Sequence, residues 1–313
     1  MQWTPGRRTA LLTLAGAATA AITGCARAPE GAVDRLVVAT GPPGAVYREI
    51  GSELAALLDE HLDEIEVVTM ETRASHDNLF LLADGEAHLG LANLDSILSA
   101  GVADGDDVFA VGRLYDSFVH LVVPGDSPVR SLTDLDGRRV SVGAVNSGTE
   151  FTAAQLIGEI GLDVEERRLD QAASAAALTS GDIDAMFSLT GLPTPAVATA
   201  AEEGRIRLID LSAAADALAD VSPEAYFPAS IPATTYDGVP ACPTVSVPNL
   251  LLCGAALPDS LVRVVTGTLY AGVDRLSAQR PEAAQINVRT GISTGIVPLH
   301  PGASQWYRDQ KPA

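Results

Sequence analysis

This chain of 313 residues predicts an α/β protein of two doubly wound lobes joined by a two-strand hinge. Three observations lead there. Short apolar runs alternate with longer segments whose apolar residues recur every three or four positions, the pattern of strands and helices taken in turn. Glycine closes one helical segment after another, at Gly85, Gly161, Gly181 and Gly204. A faint repeat also relates the halves, since LLADGEAHLGLAN at 81–93 resembles ALTSGDIDAMFSL at 177–189. A repeated β-α-β-α grammar of this kind builds mostly parallel sheets covered by helices.

The N-terminus stands apart from the fold. Arg7 and Arg8 precede an uncharged apolar run, Ala10 to Ile22, which is too short for a permanent span but suits the core of a signal peptide. It ends in Ile22-Thr23-Gly24-Cys25, which resembles the bacterial lipobox. Residues 1–24 are therefore expected to be a signal peptide. Residues 25–34 are expected to be a tether lipidated at Cys25, which would hold the protein on the extracytoplasmic side of the cell membrane. The paired arginines match a twin-arginine signal only in part, so Sec and Tat export both stay open.

The first lobe begins with a strand at Arg35–Ala39, the turn Gly41-Pro42-Pro43-Gly44, and a helix with Val46, Ile50, Leu54 and Leu57 on one face. A strand follows at Ile65–Glu71, then a helix from Ser75 to Gly85, then a strand at His88–Ala92. The grammar restarts after Pro128. Ser131 caps a short helix, Arg139–Gly143 is a strand, and Ala144–Gly148 is a loop into a helix at Thr149–Ile160. Strands near Glu166 and at Ile183–Leu189 alternate with helices, one starting at Pro195. Val119–Val123 and Thr244–Cys253 read as two crossings between lobes. A last helix runs through Leu261, Val265, Leu269 and Leu276, with a loop to Trp306 and Tyr307. The lobes are thus expected at 35–123 plus 245–313, and at 124–244, with a cleft able to close on a ligand.

Composition narrows the partners. Twenty Lys and Arg against 40 Asp and Glu give a net charge of −20, which excludes nucleic acid as a natural partner. Cys242 and Cys253 pair only if the segment between them turns; on one extended strand they lie too far apart. Five scattered histidines supply no metal-binding spacing, and no cofactor fingerprint is present.

In open α/β sheets, ligands sit beyond the carboxyl ends of the strands. That rule selects Gly44 and Tyr47, Arg73, Ser75 and Asn78, Asn93 and Asp95, Ser147 to Thr149, and Gly191. The loop with Ser147, Gly148 and Thr149 is the most informative. Ser147 and Glu150 form a capping-box pair, and free amides at a helix start beside two hydroxyls also suit an anion. Tyr47 reads equally as a ligand donor or a core tyrosine, and Ser75, Asn78, Asn93 and Asp95 also read as caps or turn residues. Arg73 reads either as a solvated surface residue or as a bidentate partner for a carboxylate. No Gly-x-Ser-x-Gly elbow occurs and Ser147 has no evident His partner, so no enzyme is expected.

Six segments in order, ATGPPGAVYREIGSELAALL, ETRASHDNLFLLADGEAHLGLAN, HLVVPGDSPVRSLTDLDGRRVSVGAVNSGTE, GDIDAMFSLTGLPTPA, IPATTYDG with PTVSVPNLLL, and PLHPGASQWYR, make the chain resemble the TAXI solute receptors of TRAP transporters. The resemblance runs from about Leu36 to Tyr307. It implies a two-lobed, periplasmic-binding-protein-like fold, a small carboxylate or amino-acid ligand such as glutamate or 2-oxoglutarate, and a TRAP permease in the membrane as partner. It also implies that Tyr47, Ser75, Asn78, Ser147, Gly148 and Thr149 lie at the cleft. Pro42-Pro43 and Arg73 stand where the family usually has glycine. The alternative reading is a sensor that signals to a membrane histidine kinase.

Overall fold

Each apolar run of the first half becomes a parallel strand followed by a helix. In the computed structural model, which describes residues 33–43, 45–101, 107–203 and 206–311, these are β1 (Arg35–Ala39), α1 (Val46–Asp59), β2 (Glu66–Met70), α2 (Ser75–Ala83), β3 (Leu89–Asn93) and α3 (Leu94–Ala100). The expected leader, Cys25 and most of the tether lie outside the described residues. β1 pairs in parallel with β2 on one side and β3 on the other. β1 and β3 are apolar on both faces because both faces are covered. Leu36 and Val38 pack with α1 on one face, while Val37 and Ala39 pack with Leu79 and Leu82 of α2 on the other.

The second half repeats the unit. β5 (Arg139–Ser141), α4 (Gly148–Ile160), β6 (Glu165–Arg167), α5 (Gln171–Ser180), β7 (Ala185–Thr190) and α6 (Pro195–Glu203) follow in order, with β5 parallel to both β6 and β7. Gly161 and Gly181 stop α4 and α5 in the left-handed conformation that glycine adopts without strain.

Two long antiparallel strands connect the halves: β4 (Val108–Pro124) and β10 (Cys242–Gly254). β10 pairs with β3, β4 pairs with β7, and the two pair with each other. The two expected sheets are therefore one hydrogen-bonded sheet, ordered β2-β1-β3-β10-β4-β7-β5-β6. β8 (Ile206–Leu208) and β9 (Phe227–Ile231), with α7 (Ser212–Val221) between them, attach at β4 and β10. The first crossing is much longer than the expected Val119–Val123, because Gly112, Arg113 and Asp116 interrupt its apolar pattern without ending its ladder.

The C-terminal part differs from expectation in two places. The single tail helix is two, α8 (Asp259–Ala271) and α9 (Val273–Gln279), broken at Gly272, where a Cβ would overlap Leu57 of α1. Trp306 and Tyr307 lie on a helix (Pro301–Asp309) rather than in a loop. His300 opens it by accepting from the Gly302 amide, and Pro301 suits its first turn. Cys242 and Cys253 sit on one extended strand, both buried and both free thiols. No described helix is long and apolar enough to cross a membrane.

Candidate functional site

A cavity of about 590 Å³ lies beyond the carboxyl ends of the parallel strands. Its wall takes Pro42 and Pro43 from the segment after β1, Arg73 and Ala74 after β2, and Asn93 at the end of β3. The other half supplies Gly143, Ala144 and Ser147 to Thr149 after β5, Leu169 to Ala172 after β6, and Leu189 and Thr190 from β7. The first turns of α1, α4, α5 and α6 all reach it, through Tyr47, Gly148, Gln171 and Pro195. Their opening N–H groups, which Pro195 alone lacks, have no intrahelical acceptor and carry the positive ends of the helix dipoles. Four such ends around one cavity favour negative charge inside a protein whose overall charge is strongly negative.

The floor is a buried polar knot on the two connecting strands. Asn249 of β10 accepts from the Tyr47 hydroxyl and from Asn93 Nδ2 (2.9 Å), and its own Nδ2 donates to Tyr115 O (3.0 Å) and Ser117 Oγ (2.9 Å). Every hydrogen-bonding capacity of that amide is taken up inside the protein. Burial pushes the Tyr47 phenol well above its ordinary pKa, so it stays a neutral donor.

At the start of α4, Ser147 Oγ accepts from Glu150 N at 3.1 Å, as a cap should. The reciprocal bond lands one residue early: Glu150 Oε2 accepts from Asn146 N (2.7 Å), and its other oxygen holds Arg168 at 2.6 Å. Thr149 Oγ1 accepts from the Leu189 amide of β7 at 3.1 Å, which leaves its O–H as a donor.

Of the residues selected from the sequence, Tyr47, Arg73, Asn93, Ser147, Gly148 and Thr149 line the cavity. Gly44 lies outside the described residues. Arg73 reaches the wall, but its guanidinium pairs in a fork with Asp77, Nε to Oδ2 at 2.8 Å and an NH2 to Oδ1 at 3.0 Å. Ser75 stands just behind, donating to Asn93 Oδ1 (3.0 Å) and accepting from Asn93 N (3.2 Å). Asn78 is wholly buried elsewhere: its Nδ2 joins Thr40 O and Leu91 O, and its Oδ1 accepts from Thr72, so it clamps β1 to β3.

Asp95 is buried between α3 and α4. Its Oδ2 accepts from Thr152 (2.5 Å) and Tyr226 (3.2 Å), and its Oδ1 from Ser96 N (2.7 Å). Burial raises its pKa to about 6 despite those donors. Gly191 is not part of the cavity lining and lies against Glu282, whose side chain leaves no room there for a Cβ.

The sequence pattern did not single out Asn249, Tyr115 and Ser117, although an amide inside the apolar run VSVPNLLLC is itself a signal of a buried polar partner. Among the described residues no cluster of His, Cys, Asp and Glu is arranged to hold a metal ion.

The sequence model of the NMT1-like family matches residues 38–310. Among solved structures, the periplasmic aliphatic sulphonate binding protein SsuA from Escherichia coli is 19% identical, with 90% of this chain and 84% of that chain covered at a TM-score of 0.50. The alkanesulfonate-binding protein SsuA from Xanthomonas axonopodis pv. citri, bound to MOPS, is 20% identical over 89% and 85% of the two chains, at 0.52. PhnD1 from Prochlorococcus marinus (MIT 9301), in complex with methylphosphonate, is 12% identical over 80% and 91%, at 0.53. At these identities the likeness is one of fold, and the mixed α/β architecture matches that of periplasmic binding proteins.

Proposed function

The chain belongs to the NMT1-like family, and from that premise we propose that it is an extracytoplasmic receptor for a small organic acid or amino acid, without enzymatic activity. The observation that carries the reading is the convergence of four helix N-termini on one cavity built from both halves of the sheet. A carboxylate held there by local dipoles is insulated from the acidic surface, because salt screens charge beyond about 8 Å. The solved proteins of similar fold are named for small anionic ligands, a sulphonate and methylphosphonate among them, which accords with that polarity. Ser147 Oγ is occupied in capping α4, so the one serine in the most informative loop has a structural task.

On this reading residues 35–123 plus 245–313 and residues 124–244 are the two lobes, and β4 and β10 are the hinge on which they close. The lipobox-like Ile22-Thr23-Gly24-Cys25 supports a lipid anchor, and the resemblance to TAXI receptors supports delivery to the membrane subunits of a TRAP permease. Tyr47, Asn93, Gly148 and Thr149 are the residues assigned to the ligand's immediate surroundings, with Arg73 and Ser147 at the wall and Ser75 behind Asn93.

The test is a thermal-shift screen of the purified protein against organic acids and their neutral amides. A ligand at about 100 times its dissociation constant adds roughly 2.7 kcal/mol of stability and a clear rise in Tm. A rise with acids and not with amides is expected. Equal rises with both, or none with any acid, overturns the reading.

A further inference from the structure

We propose that the hydroxyls of Tyr115 and Thr190 contact the ligand, each donating to one of its oxygens. The proposal rests on the receptor reading and adds to its site two residues of the sheet itself. Most polar side chains around the cavity are already held. Tyr47, Asn93 and Ser117 are tied to Asn249, Ser174 Oγ donates to Asp170 O at 2.7 Å, and Arg73 is forked with Asp77. Gln171 and Thr199 have no side-chain partner among the described residues, but one is half-buried and the other exposed, so bulk water serves them.

Tyr115 and Thr190 differ from these. Both line the cavity at only 1% and 6% exposure, and neither hydroxyl has a hydrogen-bond partner among the described residues. Tyr115 sits on β4, where its carbonyl accepts from Asn249 Nδ2 at 3.0 Å, and Thr190 ends β7, paired with Phe118 of β4. The sheet thus fixes the backbone of both. Glu282 is close enough to Tyr115 for its charge to be felt, yet neither of its carboxylate oxygens bonds the phenol. Burial pushes that phenol well above its ordinary pKa, so it is a neutral donor. Hydroxyls this deep have only the cavity to turn to for an acceptor. A ligand that displaces the cavity's water must offer oxygens in its place, because a buried polar group left unpaired is strongly disfavoured. A carboxylate, hydroxyl or oxo oxygen meets that need, and an alkyl group does not.

Tyr115→Phe and Thr190→Val delete the hydroxyls and keep the shapes. Isothermal titration of the parent with glutamate, 2-oxoglutarate, succinate, lactate and phenylacetate selects the tightest of the five, which is then titrated into both variants. Urea melts without ligand run alongside. Each variant is expected to bind about tenfold more weakly, the worth of one hydrogen bond to an anion. Its urea midpoint should stay level or rise, since no bond within the protein is lost. A hydroxyl with a purely structural role would lower the midpoint instead. Parent-like affinity in both variants, or weaker binding matched by a lower midpoint, overturns the proposal and leaves the receptor standing. Weaker binding in one variant alone overturns it for the other residue. If the parent binds none of the five acids, the receptor reading fails and the proposal with it.

Discussion

Gly148, the first residue of α4, passes so close to Asn93 at the end of β3 that a Cβ on the glycine would collide with Asn93 Oδ1 and stand 3.1 Å from Ser75 Oγ. The two residues come from opposite halves of the sheet and meet at the cavity wall. Gly148→Ala is therefore expected to force the halves apart at the site. The overpacking costs about 1–3 kcal/mol, and ligand affinity should fall at least about tenfold. Gly158→Ala is the control, since that glycine lies in the same helix with open space around it. There alanine's helix propensity should stabilise by about 0.8 kcal/mol without touching affinity. Urea melts and titrations of the two variants separate these effects, and equal affinity loss in both would refute the cavity role of Gly148.

Asn249 holds four groups of buried residues: the Tyr47 hydroxyl, Asn93 Nδ2, Tyr115 O and Ser117 Oγ. Asn249→Leu, close in size, removes their shared partner at a position that is itself 0% exposed. Each unsatisfied buried group costs about 1–3 kcal/mol, less whatever the neighbours recover by re-pairing, so a loss of about 3 kcal/mol is expected. Tyr47→Phe removes one donor and leaves Asn249 its bond from Asn93, so about 1 kcal/mol is expected. Chemical denaturation checks the order; a larger loss for Tyr47→Phe would show that Asn249 is not the hub.

Much of this architecture is legible in the sequence because its signals are local. The apolar runs of β1, β3 and β7 and the glycine stops of α4 and α5 announce themselves. The loop Ser147-Gly148-Thr149 reads as a helix start that faces a cleft. What is hidden depends on partners far along the chain. Where α8 gives way to α9, a Cβ at Gly272 would overlap Leu57 of α1, and no pattern within α8 or α9 encodes that contact. Fusion of the halves into one sheet depends on β4 pairing with β10, more than a hundred residues later. Side-chain direction is equally nonlocal. Asn78, Asn93 and Asp95 are all polar residues near strand ends, yet only Asn93 turns to the cavity. The other two clamp β1 to β3 and α3 to α4.

The burial of Asp95 of α3, which accepts from Thr152 of α4, makes stability depend on pH. Burial lifts the Asp95 pKa from 3.8 to about 6, with Tyr226 and Tyr47 the titratable neighbours, both neutral in this range. The folded state thus holds this proton more tightly than the unfolded state. Its stabilising contribution is complete below the unfolded value and is lost as pH rises through about 6. Asp77, held low by Arg73 against the opposing pull of burial, and Asp184, held low chiefly by Arg139, act in the opposite sense as pH falls. The comparison with Asp95→Asn isolates one group. Between pH 4 and pH 7 the parent should lose about 2 kcal/mol relative to the variant, read from urea midpoints at each pH. Parallel profiles would refute it.

Ala74 precedes α2 at the cavity wall with φ +82° and ψ −138°, a backbone region essentially reserved for glycine. Two terms compete in Ala74→Gly. Relief of strain is worth about 1–3 kcal/mol. The greater freedom of glycine in the unfolded chain costs about 0.5–1 kcal/mol. Relief wins, so the variant should be more stable by about 1 kcal/mol in urea denaturation. The gain has a counterpart in binding. A glycine lets the Arg73–Asp77 segment sample other conformations, and a ligand must then order it, so affinity is expected to fall a few-fold while stability rises. A variant less stable than the parent would mean that the Ala74 methyl packs usefully enough to outweigh its backbone.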